Sequence, residues 1–302
     1  MNQVTSIEKS SAIALIKAKV EDYKQLFKFR LNLVVVFSSV VGYVLAAGLS
    51  TNWLGIAVLT LGGFLVTASA NAINQIFEVD YDKMMKRTAN RPLPTGRMKS
   101  AEAILAAGLS GIAGVLLLGL FFNMYAAIVA AVSLFLYAFI YTPVKRISPI
   151  SVFIGAIPGA LPPVIGWVAF TGSITIEAII LFTIQFIWQF PHFWAIGWVG
   201  YDDYKKAGFK MLPSVDGKSK FVAMQSIIYV LVLIPIALIG AWFGIGFRVT
   251  AIMSIFAGIL YLIPAIKLYR DLTDKAALKL MFASFLYLPL MQISWLIDCF
   301  WI

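Results

Sequence analysis

The chain has 302 residues, of which 61% are hydrophobic and only 13% charged, against roughly 25% charged in an ordinary soluble domain. A soluble core of this length cannot absorb that much apolar surface, so the surplus must face lipid. The formal charge of +10 then reads as a topology signal and an attraction to anionic headgroups, with no nucleic-acid partner needed.

Only helices or closed barrels satisfy their backbone within a bilayer, and the apolar stretches lack the alternation that a barrel needs. The first 30 residues form a basic arm that carries acidic residues too, unlike the short basic start of a secretory signal. Ile16, Val20, Tyr23 and Phe27 fall at i, i+4, i+7 and i+11, with Lys17, Lys19, Lys24 and Lys28 on other faces. That spacing predicts an amphipathic helix lying on the membrane surface. Nine spans follow over 31–302: Leu31–Leu49, Trp53–Phe77, Ala103–Phe121, Tyr125–Tyr141, Ile150–Phe170, Ile174–Trp198, Phe221–Phe243, Thr250–Ile266 and Leu278–Trp301. The fold class expected is all-α integral membrane, a nine-helix bundle around a central cavity. Cys299 is the single cysteine, which excludes an internal disulfide.

Lys and Arg decide the orientation. The arm holds 6, the second-to-third connection 6, the fourth-to-fifth 2, the sixth-to-seventh 5 and the eighth-to-ninth, counted with the first turn of the ninth span, 4. With nine spans, 23 of the 24 basic residues lie on one side, and by the positive-inside rule that side is the cytoplasm. The N-terminus is thus expected inside and the C-terminus outside, in a multi-pass protein of a bacterial cytoplasmic membrane.

The scarce acidic residues gather where helices meet this basic side. Asn74, Glu78 and Asp82 are spaced i, i+4, i+8 and stack on one helix face, about 6 Å apart. Oxygen ligands of this kind suit Mg²⁺, which keeps waters and shares substrate phosphates. Lys86, Arg87 and Arg91 follow at once, placed to clamp phosphate oxygens, and Pro92 and Pro94 turn the chain back. A second acid-then-basic cluster, Asp202-Asp203-Tyr204-Lys205-Lys206, ends the sixth span. The two clusters are expected to face each other across the cavity and hold a diphosphate between them.

Just before the second cluster stands Trp188-Gln189-Phe190-Pro191-His192-Phe193-Trp194, with the only histidine. A lone imidazole excludes a bis-histidine haem electron carrier; it is either a packed residue or a contact for substrate. The short loop Tyr141-Thr142-Pro143-Val144-Lys145-Arg146 carries two more cations. Gly155, Pro158, Gly159, Pro162, Pro163 and Gly166 predict a kinked fifth span that lines the cavity. An ion-coupled transporter is the rival from another class, but it would place charges near the midplane; here the acids keep to the rim.

With these residues in view, the sequence resembles the UbiA superfamily of intramembrane prenyltransferases and, within it, the haem O synthase (protoheme IX farnesyltransferase) branch. The run Asn74–Asp82 with Met85-Lys86-Arg87-Thr88 and Arg91-Pro92-Leu93-Pro94 looks like the first Asp-rich motif of the superfamily. Tyr141-Thr142, Lys145-Arg146, Pro162-Pro163, Pro191-His192-Phe193-Trp194 and Met211-Leu212-Pro213 are similar to the haem branch. The resemblance implies a Mg²⁺-assisted transfer of farnesyl from farnesyl diphosphate to haem B (protoheme IX), with haem A synthase or oxidase-assembly factors as partners. It implies metal–diphosphate roles for Asn74, Glu78, Asp82 and Asp203 or Asp202. It also implies diphosphate contacts for Lys86, Arg87, Arg91, Lys145 and Arg146, and porphyrin contact for His192. Three departures stand out. Gln75 occupies a place where quinone-directed members have Asp, which disfavours an aromatic quinone precursor as acceptor; Glu78 replaces the commoner Asp; and Val199 stands where many members carry an acid four before Asp203.

Overall fold

A computed structural model describes residues 2–214 and 216–301, with side chains described from residue 13 onward. Helix α1 spans Asn2–Leu26, and Lys28, in a left-handed conformation, turns the chain into α2, Phe29–Ala47. Then follow α3 (Trp53–Phe77), the single turn α4 (Val79–Asp82), α5 (Ser100–Phe121) and α6 (Met124–Phe135). Helix α6 runs through a π-helical turn at Leu136–Tyr141 into α7, Thr142–Val144. The remainder is α8 (Ser151–Thr171), α9 (Ile176–Val199), α10 (Tyr201–Lys206), α11 (Lys220–Trp242), α12 (Arg248–Asp271) and α13 (Asp274–Trp301). Among the described residues, nine helices are long and apolar enough to cross a membrane. They are the nine expected spans. At the basic end α12 reaches Asp271 and α13 starts at Asp274, beyond the apolar stretches, because Lys267 and Arg270 extend into water from helical turns that need no lipid.

Helices α2, α3, α5, α6 and α8 pack around one chamber, and α9, α11, α12 and α13 form a second group fused to it through α8–α9 and α13–α2. Small residues bring α2 and α8 together, as membrane packing favours. A Cβ added at Gly166 would lie 1.7 Å from the Ser39 carbonyl oxygen, and one at Gly42 would lie 2.1 Å from that of Pro163.

The prolines of α8 have a cost that the bundle offsets with named side chains. Proline removes the hydrogen bond to the carbonyl four residues back. Pro162 thus frees the Pro158 carbonyl, which accepts from Ser133 Oγ at 3.3 Å. Pro163 frees that of Gly159, which accepts from Gln185 Nε2 at 2.7 Å. Gln189 Nε2 adds a bond to the Ala156 carbonyl at 3.0 Å. Two glutamines inside an apolar span therefore satisfy the helix beside them.

At the other end of the bundle, buried Asp298 of α13 caps α12 from outside. Its carboxylate accepts the backbone N–H groups of Phe247, Val249 and Thr250 at 2.6, 3.1 and 2.7 Å, at the positive end of the helix dipole. Replacing Gly166 by Val is expected to separate α2 from α8. It should destabilise the bundle by more than the roughly 1–3 kcal/mol of an overpacked core, read as a loss of monodisperse protein on size exclusion in detergent.

Candidate active site

Helix α3 builds the site along one stripe. Gly63, Val66, Thr67, Ala70 and Asn71 line an apolar chamber of about 110 Å³, and Asn74 and Glu78 continue the same face into a polar cavity of about 170 Å³ at the basic end. From Gly63 to Asn74 the stripe rises roughly 16 Å at 1.5 Å per residue. The two spaces share Leu31 and Tyr137 as walls. A polar head and an apolar tail on one molecule would occupy both.

The α-helix ends at Phe77, but the Asp82 N–H donates to the Glu78 carbonyl at 2.7 Å, so the stack of Asn74, Glu78 and Asp82 carries on through α4. All three are buried. Each is met by a partner from another segment. Lys145 Nζ lies 2.6 Å from Glu78 Oε1, and Arg91 Nη1 lies 2.7 Å from Asp82 Oδ2. Asn74 accepts from Lys28 Nζ at 3.2 Å and donates to Thr142 Oγ1 at 3.1 Å. The π-helical turn aims this wall: its extra residue sets Tyr137, Tyr141 and Lys145 toward the cavity, as such turns do at functional sites.

Charge dominates the cavity. Four cations, Lys28, Arg87, Arg91 and Lys145, line it with two acids, Glu78 and Asp82. Burial, with Arg91 and Lys145 close by, brings the Lys28 ammonium down to about 7. Burial works against the Lys145 charge as well, but the Glu78 carboxylate outweighs it and raises the ammonium above its usual range. Burial also raises Asp82, against the pull of Arg91. Excess positive charge in a largely buried cleft is a receptor for a polyanion.

The donor set was tested for Mg²⁺ on the same atoms. Asp82 Oδ1 is buried without a hydrogen-bond partner, while Oδ2 is held by Arg91. An orphaned carboxylate oxygen of this kind is explained by an ion or water. Among the described residues no three His, Cys, Asp or Glu converge as a metal site. Mg²⁺ is usually held by one or two carboxylates together with substrate phosphates, and that arrangement fits Asp82 with Glu78.

Several expectations are corrected. Asp202 is exposed, and Asp203 sits 3.7 Å from Lys206; neither lines the cavity. Helical hydrogen bonds run on through Gly200, which donates to the Ile196 carbonyl at 2.9 Å and accepts from the Tyr204 N–H at 3.0 Å, and of α10 it is Tyr204 that lines the cavity. Its hydroxyl accepts from Arg87 Nη2 at 3.0 Å. Lys86 is exposed and lies off the cavity. Arg146 belongs to a neighbouring cavity, stacked 4.2 Å over the Tyr81 ring and donating to its hydroxyl. His192 packs inside the second helix group: Nδ1 is 2.7 Å from Ser284 Oγ, and the ring stacks on Trp188. Gln75 does not face the site either; its Nε2 donates to the carbonyls of Gln25 and Leu26 and ties down the end of α1.

Lys28, Tyr137, Tyr141 and Tyr204 were not singled out as site residues by sequence reasoning. The amphipathic pattern put Lys28 on a solvent face, yet the left-handed turn at φ 46° carries it inward. The apolar stripe of α1 is likewise divided. Tyr23 and Phe27 pack with Leu26 against Leu93 and Met98, while Ile16 and Val20 stay exposed. Ion pairs Lys19–Glu102 at 2.7 Å and Arg97–Asp22 at 2.9 Å latch α1 to the first turn of α5 and to the 83–99 segment.

Residues 35–288 match the UbiA prenyltransferase family. The chain belongs to that family. It is 49% identical over 276 residues to the protoheme IX farnesyltransferase of Cytophaga hutchinsonii, covering 91% of this chain and 96% of that protein. It is 45% identical over 284 residues to that of Christiangramia forsetii, covering 92% and 93%. Among solved structures, a digeranylgeranylglyceryl phosphate synthase shares the fold with a TM-score of 0.79 at 21% identity, over 94% of this chain and all of that one. A UbiA homolog from Archaeoglobus fulgidus bound to GPP and Mg²⁺ does so with a TM-score of 0.72 at 15% identity, over 90% and 99%.

In this family member, breaking the buried Lys145–Glu78 pair from one side is expected to cost about 3–5 kcal/mol. Lys145→Met alone should lower the melting temperature in detergent. Adding Glu78→Leu should restore most of it without restoring anion binding, and a double variant as unstable as the single would show that charge burial is not the cause.

Proposed function

We propose that the protein transfers a farnesyl group from farnesyl diphosphate to a vinyl group of protoheme IX, giving haem O. The observation that supports it most is the cationic cavity opening past Leu31 and Tyr137 onto an apolar chamber, together with two relatives of that name above 40% identity at full length.

In this reading Arg87, Arg91, Lys28 and Lys145 surround the diphosphate, and their fixed charges stabilise the negative charge that develops as the allylic C–O bond ionises. Glu78 and Asp82 keep Lys145 and Arg91 aimed at the cavity. Asp82, with Glu78, would hold Mg²⁺, which supplies Lewis-acid stabilisation of the leaving group when bound. The chamber walls keep water from the farnesyl cation until the vinyl carbon attacks it. A new C–C bond forms at the terminal vinyl carbon, water adds to the other carbon with loss of a proton, and diphosphate departs.

The basic end is read as the cytoplasmic side of a bacterial cytoplasmic membrane, because it carries nearly all the Lys and Arg. Reporter fusions to the C-terminus should therefore be active outside and silent inside. Purified protein with haem B, farnesyl diphosphate and Mg²⁺ should give haem O by mass spectrometry, and Asp82→Ala should cut turnover at least about 100-fold while still inserting. Turnover of a hydroxybenzoate in place of haem would overturn the assignment of the acceptor.

A further inference from the structure

The segment after α9 builds a second space that the diphosphate site does not use. It is a cavity of about 420 Å³ under the 207–217 connection, walled by Tyr201, Tyr204, Phe209, Met211 and Leu212, with Lys205 and Lys210 in its lining. It includes the Met211-Leu212-Pro213 stretch, of which only Met211 also reaches the diphosphate cavity. Gly208 and Gly217, both at positive φ, turn the connection over it, and Lys218 pins its far end to Asp274 at 2.6 Å.

Tyr204, Phe209 and Met211 also line the cationic cavity. A single layer of side chains therefore separates the two spaces. The apolar chamber, by contrast, has no cation in its lining, so it cannot hold a ligand that carries carboxylates. The second cavity combines aromatic and thioether walls with two exposed lysines, Lys205 and Lys210, the latter donating from Nζ to the Ile147 carbonyl at 3.1 Å. Its size suits a large ligand. That chemistry fits a flat apolar macrocycle with two acids along one side.

Building on the farnesyl-to-haem reading, we propose that this cavity is the acceptor site. The porphyrin lies against Tyr201 and Phe209, its propionates meet Lys205 and Lys210, and its opposite, vinyl-bearing edge abuts Phe209 and Met211, which must swing aside for the vinyl carbon to reach the allylic carbon. Substrates thus enter from two sides: the prenyl chain from the chamber, the porphyrin from beneath the 207–217 connection.

The test uses full-length protein in detergent, with haem binding read from Soret absorbance without farnesyl diphosphate and haem O formation read separately. The double variant Lys205→Gln/Lys210→Gln is expected to raise both the Kd and the KM for haem about tenfold, leaving the KM for farnesyl diphosphate in place. The porphyrin dimethyl ester, which lacks both carboxylates, should bind wild type about tenfold more weakly than the free acid and lose nothing further in the double variant. Ser214→Trp, which fills the cavity, should raise the haem KM without touching a lysine. A double variant that shares the wild-type haem KM, or an ester that binds as tightly as the acid, would overturn the site. Wild-type protein that binds haem with this carboxylate dependence yet forms no haem O would sink the proposed reaction and leave the site standing.

Discussion

Two charge pairs buried at the rim of a membrane bundle, Glu78 with Lys145 and Asp82 with Arg91, are the interaction on which the rest of the site depends. Taking a carboxylate out of water is expensive, and a partner of opposite charge repays it only with close geometry. The first pair ties the end of α3 to the turn after the π-helical segment, 67 residues on, and the second folds the 83–99 connection back onto α4. Each carboxylate thereby holds a cation in place, and each cation remains available to an anion. The cavity is both a structural junction and a charged receptor.

The same economy runs along α3. A single face passes from glycine and alanine through Thr67 and Asn71 to Asn74 and Glu78. Polarity therefore increases along the helix axis toward the basic end. Lipid demands this ordering, since ionisable groups are tolerated only near the surface or in an enclosed cavity. An amphiphile with an anionic head is the ligand whose own polarity follows that gradient.

The second constraint is backbone satisfaction. Helix α8 runs unbroken with three prolines inside it, and Ser133 and Gln185 take up the carbonyls that Pro162 and Pro163 release. The helix can then wall the chamber between α2 and α6. Asp298 shows the same principle at the opposite end, where a buried acid is explained by the helix start it caps.

The number of spans, the basic end and the first polar cluster were all legible in the linear chain. Apolar length counts spans directly, basic residues mark one side, and the i, i+4, i+8 spacing of Asn74, Glu78 and Asp82 is a local helical property that packing preserved. The second half of the site was not legible. Periodicity sorts residues among the faces of one helix but does not say which face the bundle turns inward, and on α10 Tyr204 and not Asp203 lines the cavity. Lys28 was lost to the same limit, because its direction is set by one left-handed residue between α1 and α2. Pairings such as Lys145 with Glu78 and Arg87 with Tyr204 join positions 67 and 117 residues apart. Local spacing carries no information about such contacts; the closing of the bundle decides them.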